Sequence, residues 1–201
     1  MFLPVYVLRP AVAALCLLAF AEYTMLWRRK IAPSSRLSLL SAFLILLGYV
    51  AIGTGLMSLP EIAAKHGNLM MLYTVAIIKF SDVGGFAFGL SSAKLMKGGN
   101  HKMCPTISPG KSWEGLVGSL LLSSAVSCGF MGVTHFSVPK SVALGVVAAV
   151  VGTAGDLVES KFKRWVGVKD SSALKITNGL GGFLDMFDSL LFAPAVLSCF
   201  Y

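Results

Sequence analysis

Six apolar runs dominate the chain, at roughly residues 9–27, 37–59, 69–91, 113–136, 139–158 and 180–201, with polar segments between them. A helix needs about 20 apolar residues to cross a hydrocarbon layer of about 30 Å, so each run is the length of one membrane span. Composition points the same way. The chain is 56% hydrophobic and 13% charged, with a mean hydropathy of +0.79, whereas soluble domains carry about 25% charged residues. The expectation is an all-α, polytopic integral membrane protein of about six transmembrane helices, forming a single domain over residues 1–201.

The polar segments orient these spans. Cytoplasmic loops accumulate Lys and Arg. The segments holding Arg28, Arg29, Lys30 and Arg36, then Lys94, Lys97, Lys102 and Lys111, then Lys161, Lys163, Arg164, Lys169 and Lys175, alternate with segments that hold only Arg9, Lys65 and Lys140. The basic loops therefore face the cytoplasm and both termini face away. In a bacterium this is a multi-pass protein of the inner membrane. The net charge of +8 reads as orientation and attraction to anionic head groups, and no nucleic-acid partner is expected. Arg9 is the only charge at the head of the first run, without a small-residue cleavage pattern, which predicts a retained span. Cys16, Cys104, Cys128 and Cys199 show no paired spacing, so no disulfide framework is implied.

Charge concentrates in "ESKFKRWVGVKDSSALKITNGLGGFLDMFDS", residues 159–189. If the fifth span continues as a helix, Asp156, Glu159, Ser160, Lys163 and Arg164 share one face. An amphipathic end snorkelling into head groups is one reading. Against it, an ionisable residue at membrane depth marks function by default, and Asp156 follows an apolar run. Further on, Gly179, Gly181 and Gly182 permit close backbone approach to a ligand. Asp185 and Asp188 follow at an i, i+3 spacing, inside an apolar run. Two such carboxylates repel each other unless a cation sits near them, and Mg²⁺ binds through one or two carboxylates plus substrate phosphates. The alternative is a pair of acids complementing a helix N-terminus.

Upstream, Ser108-Pro109-Gly110-Lys111-Ser112 predicts a turn, with Ser112 capping the helix that follows. A helix start with a lysine beside it suits phosphate, although any capped helix after a Pro-Gly turn looks similar. Lys79 and Asp82, i and i+3 within the third run, either pair with each other or line a polar cavity. Gly85-x-x-x-Gly89 and Gly115-x-x-x-Ser119 predict close helix packing. Carboxylates for a cation, basic residues for phosphates and a cytoplasmic membrane face together point to phosphoryl-group chemistry. His66, His101 and His135 lie outside the acidic cluster, and there is no nucleophile–base signature. An attacking group that is itself an anionic phosphate needs no base.

These stretches resemble the phosphatidate cytidylyltransferase (CDP-diacylglycerol synthase) family. Its signature runs roughly S-x-x-K-R, four residues, K-D, a spacer, P-G-H-G-G, two residues, D-R-x-D. Here Ser160-Lys161-Phe162-Lys163-Arg164 is followed four residues later by Lys169-Asp170, and Gly181-Gly182 precede Asp185-Met186-Phe187-Asp188. Gly155-Asp156-Leu157-Val158-Glu159-Ser160 is similar to the family's G-D-x-x-E-S, "KMCPTISPGKSWEG" to its K-x-x-P-x-I-S-P-x-K-T-x-E-G, and "SDVGGFAFG" to its A-D-x-G-A-Y-x-x-G. The matches fall in order across about residues 79–192. Leu180 stands for the family His, Met186 for the Arg, the pre-glycine Pro is absent, and the spacer is longer and carries Lys175.

The resemblance implies a Mg²⁺-dependent nucleotidyltransferase of phospholipid biosynthesis that converts CTP and phosphatidate to CDP-diacylglycerol and pyrophosphate, with room for a second cation. It implies metal ligation by Asp156, Asp185 and Asp188, and catalytic roles for Asp156, Asp185, Lys163 and Arg164. Lys111, Lys163, Arg164 and Lys169 would hold phosphates and Ser108 and Ser160 would donate hydrogen bonds. Asp82 and Asp170 would belong to the polar cavity. The expected partners are CTP, phosphatidate and membrane lipid, and a homodimer is compatible with this reading. The alternatives are a CTP-dependent polyprenol or phytol kinase and a non-catalytic membrane homologue.

Overall fold

A computed structural model describes residues 4–31, 39–168 and 183–201. Helix α1 spans Val5–Ile31, α2 Leu39–His66 and α3 Asn68–Leu95. A short hairpin of β1, Lys102–Cys104, and β2, Ser108–Ser112, leads into α4, Trp113–Gly129. Then come α5, Met131–Thr134, and α6, Val138–Val166. The C-terminal stretch is α7, Phe183–Phe187, a 3₁₀ turn at Asp188–Leu190, and α8, Ala193–Ser198. The fold is that of an all-α polytopic membrane protein with one small hairpin.

Among the described residues, four helices are long and apolar enough to cross a membrane: Val5–Arg28, Ala42–His66, Asn68–Leu95 and Val138–Val166. They correspond to four of the six expected spans. The fourth run folds as α4, whose 17 residues give a length of about 26 Å at about 1.5 Å per residue, and breaks at Phe130 before α5. The sixth run is not one helix. Pro194 in the first turn of α8 has no N–H to continue a ladder from upstream, so the chain interrupts itself after the 3₁₀ turn. Conversely, α2 runs through Pro60 to His66, where a polar connection was expected. Pro60 is fully buried and Leu59, Ile62 and Ala63 pack in the core, so tertiary burial outweighs the lost hydrogen bond there. The large exposed side chains, such as Phe43, Leu46, Leu47, Val50 and Leu121, suit a surface solvated by lipid.

Close approach of α3, α4 and α6 builds the interior. A Cβ on Gly84 would lie 2.4 Å from the Gly118 carbonyl oxygen, and one on Gly115 would lie 2.8 Å from that of Gly85. Only glycine lets the α3 and α4 backbones meet this closely, as the small-residue spacing predicts. Serines at every fourth position of α4 then tie the helices together. Ser119 Oγ donates to the Ser81 carbonyl at 2.8 Å, Ser123 Oγ to that of Gly145 at 2.8 Å, and Ser127 Oγ to that of Ser141 at 2.6 Å. Tyr73 and Ser127 hydroxyls share a further bond at 2.8 Å. This packing holds the start of α4 and the end of α6 side by side.

Candidate active site

The hairpin, α3, the start of α4, the end of α6 and the α7 segment surround a cleft of about 410 Å³. Ser108, Gly110 and Lys111 of β2 form one wall, Asp156 of α6 another, and Asp185 and Asp188 a third. Lys79, Asp82 and Phe86 of α3 close the remaining side.

The hairpin is positioned by the cap of α4. Ser112 is an N-cap as expected: its side chain accepts from Gly115 N at 3.1 Å. The segment 108–112, expected as a turn, is a strand paired with β1, with Lys102 opposite Ser112 and Cys104 opposite Ser108. Glu114 ties the hairpin's base to the same helix start. Its carboxylate accepts from His101 N at 3.1 and 3.2 Å and pairs with His101 Nδ1 at 2.6 Å. The His101 side-chain bond, with backbone N–H bonds behind it, holds the Glu114 carboxyl down to about 2.

Helix α6 continues without a break through the charged face, as the spacing predicts. Glu159 is only 4% exposed. Lys163 Nζ lies 2.7 Å from Glu159 Oε2 and also pairs with Asp185 of α7. Lys111 pairs with Asp156, joining the hairpin to α6. Asp188 accepts from Ser189 N at 2.6 Å. Carboxylate oxygens of Asp156, Glu159 and Asp188 lie within 4.8 Å of one another. On the α3 side, Lys79 donates to Ser189 Oγ at 3.0 Å and to Asp82 Oδ2 at 3.4 Å, and Ser189 Oγ donates to Asp82 Oδ2 at 2.9 Å. Lys79 and Asp82 thus do both things the sequence allowed: they pair, and they line the cleft.

Of the expected site residues, the structure brings together Asp82, Ser108, Lys111, Asp156, Asp185 and Asp188 on the cleft lining. Lys163 stands just behind it, through Asp185. Arg164 is exposed and donates from Nε to the Ile107 carbonyl at 3.4 Å, bracing the hairpin tip. Ser160 is outside the cleft lining among the described residues, and Lys169 and Asp170 lie outside the described residues. Glu159 and Ser189 are not among the site residues that the sequence predicts. Glu159 had a signal, its i, i+3 relation to Asp156. Ser189 had none, because its partners come from α3.

The donor set fits a hard divalent cation, since carboxylate oxygens from three positions converge. Glu159 Oε1 is buried and makes no hydrogen bond among the described residues, so it retains capacity for an ion. The arrangement defines a site in which carboxylates from α6 and from the C-terminal stretch converge beside a lysine-bearing, capped hairpin.

The comparisons with known proteins agree with this class. The profile described as "Cytidylyltransferase family" matches residues 1–201; the chain belongs to the cytidylyltransferase family. A protein named phosphatidate cytidylyltransferase from Staphylococcus aureus (strain COL) is 36% identical over 170 residues, which is 84% of this chain and 62% of the relative. Similarly named proteins of Staphylococcus saprophyticus and Staphylococcus haemolyticus are 36% and 34% identical over the same length and shares. The chain therefore spans 62% of the length of these curated relatives.

Proposed function

We propose that this chain, as one domain over residues 1–201, catalyses transfer of the cytidylyl group from CTP to phosphatidate, giving CDP-diacylglycerol and pyrophosphate. The observation that carries the reading is the convergence of Asp156, Glu159 and Asp188 beside Lys111, which pairs with Asp156, in a chain of this family. A phosphatidate oxygen attacks the α-phosphorus of CTP. The new P–O bond forms as the bond from that phosphorus to the bridging oxygen breaks, and pyrophosphate leaves. The attacking phosphate is already anionic, so no general base is required. The three histidines stand apart from this step. His101 pairs with Glu114, His66 packs against Tyr201, and His135 ends α5 in a left-handed conformation.

Charge neutralisation and positioning supply most of the catalysis in such transfers. Lys111 and Lys163, together with Arg164 at the hairpin tip and Lys169, hold phosphate oxygens. Ser108 donates hydrogen bonds and Asp82 shapes the polar cavity; Ser160 and Asp170 join them on the strength of the family resemblance alone. Asp156 and Asp188 would hold Mg²⁺, with Glu159 joining them by its position, and Asp185, the third ligand expected from the sequence, would reach the ion from beside Lys163, with which it pairs. A cation held by these residues would supply positive charge against the triphosphate and the leaving pyrophosphate. Lys111, which belongs to one of the basic segments, lines the cleft, which supports entry of CTP from the cytoplasmic side, while the apolar side chains of Phe86 and Leu116 suit the lipid.

Labelled CTP tests the reaction. With purified protein, phosphatidate in micelles and Mg²⁺, label from the α position should enter lipid and label from the γ position should not. Entry of γ-label would instead identify a lipid kinase, and entry of neither would identify a non-catalytic homologue.

A further inference from the structure

Helix α1 carries an acid that the cleft does not use. Glu22 sits in the apolar run "LAFAEYTML" and is 2% exposed. It is on the inward face: Ala19 and Leu26, three residues before it and four after, are fully buried. Among the described residues it has no ion pair. Its Oε2 instead accepts from the backbone N–H of Leu184 at 2.8 Å. A leucine would fill this position without the cost of desolvating a charge. What glutamate adds is a strong acceptor for one backbone donor.

That donor belongs to the first turn of α7. First-turn N–H groups have no partner within their own helix. With five residues, α7 is far too short to be stable alone, so neighbours must fix its place. Two do so. Lys163 of α6 grips the Asp185 side chain, and Glu22 of α1 grips the Leu184 main chain. Leu184 itself is 2% exposed and packs in the core. The next turn carries Asp188, one of the converging carboxylates.

We propose that Glu22 is a positioning residue. From the opposite end of the sequence it sets the depth and rotation of α7, and so places Asp185 and Asp188 in the cleft. It touches no substrate. The effect on turnover rests on the cytidylyl-transfer reading above, whereas the effect on α7 does not.

Two variants of the full chain in lipid nanodiscs separate the possibilities. Glu22→Leu keeps the volume and removes the acceptor; Glu22→Gln keeps an acceptor oxygen. Hydrogen exchange is read on the peptide covering 183–192 and on α3 and α4 as controls, alongside α-label transfer from CTP. In Glu22→Leu, exchange over 183–192 should accelerate at least about tenfold while α3 and α4 keep wild-type protection. In that variant kcat should fall at least about tenfold with KM for CTP nearly unchanged, because the hairpin is untouched. Glu22→Gln should restore both. Unchanged exchange in Glu22→Leu, protection lost throughout the chain, normal turnover despite faster local exchange, or no rescue by Gln would each overturn the proposal. If the wild type transfers no label, the cytidylyl-transfer reading fails and the exchange data alone decide the clamp.

Discussion

Helix α6 and the C-terminal stretch are both apolar, both carry acids of the site, and fold differently. Helix α6 runs 29 residues without interruption. The stretch from Phe183 to Ser198 is divided into a short helix, a 3₁₀ turn and a second short helix. Proline position is one cause. Pro139 lies in the first turn of α6, where a missing N–H costs nothing. Pro194 lies partway along an apolar run and starts a new helix. Backbone crowding is another. A Cβ on Gly55 of α2 would lie 1.8 Å from the Leu191 carbonyl oxygen, and one on Gly155 of α6 would meet Phe192 at 2.9 Å and the Asp188 carbonyl oxygen at 3.3 Å. The interrupted chain is wedged between two helices at glycines. A regular helix displays its acids at fixed spacing; an interrupted one delivers an acid to a place that spacing alone does not give.

Removing an acid from either region should have the largest effect. Asp156→Asn in α6, and Asp185→Asn or Asp188→Asn in the interrupted stretch, should each lower α-label transfer by about a hundredfold or more, the scale of losing one electrostatic stabiliser in a closed site. Thermal unfolding of the variants should stay near wild type. If only the α6 variant lost activity, the two regions would not share a function.

The wedge predicts a contrast in stability. Gly55→Ala forces backbone to move and should destabilise by about 1–3 kcal/mol. Gly152→Ala in α6 meets only Ser189 Cβ at 3.8 Å, an ordinary contact, and should be neutral or gain up to about 1 kcal/mol from helix propensity. Unfolding midpoints in one detergent compare the two directly.

The hairpin wall contributes next. Lys111→Ala and Arg164→Ala should each reduce kcat/KM by about tenfold, and Arg164→Lys should recover only part, because a planar fork is not matched by a point charge. Ser112→Ala should cost about 1 kcal/mol of stability through the lost cap, read again from the unfolding midpoint. The smallest effect concerns acid. Glu114 has a depressed pKa of about 2, so its stabilising bond is fully present above the ordinary carboxylate range. It is lost as pH falls through that value. Glu114→Gln should remove this pH dependence from hydrogen exchange in the hairpin.

Much of α6 was legible because a single helical period relates Asp156, Glu159 and Lys163, and the structure keeps that period. The Ser112 cap and the glycine face of α3 and α4 were legible for the same reason, being local in sequence. The break after the 3₁₀ turn was not, although Pro194 signalled it, because the apolar run read as one span. Nor was the helical passage through Pro60, which depends on burial of Leu59 and Ile62. Ser189 bonds residues of α3 and Glu22 bonds α7, so their roles arise from contacts over more than 100 positions, beyond the reach of spacing. Lys169 and Asp170, expected at the site, lie outside the described residues.

On the proposed function, α6 and the interrupted stretch hold one cation together. Binding of Mn²⁺, a spectroscopically visible substitute for Mg²⁺, to the purified protein and to Asp156→Asn and Asp188→Asn measures this without any turnover. The wild type should show one tight site, and either substitution should weaken it by about tenfold or more. Retention of wild-type Mn²⁺ affinity in both variants would contradict the account.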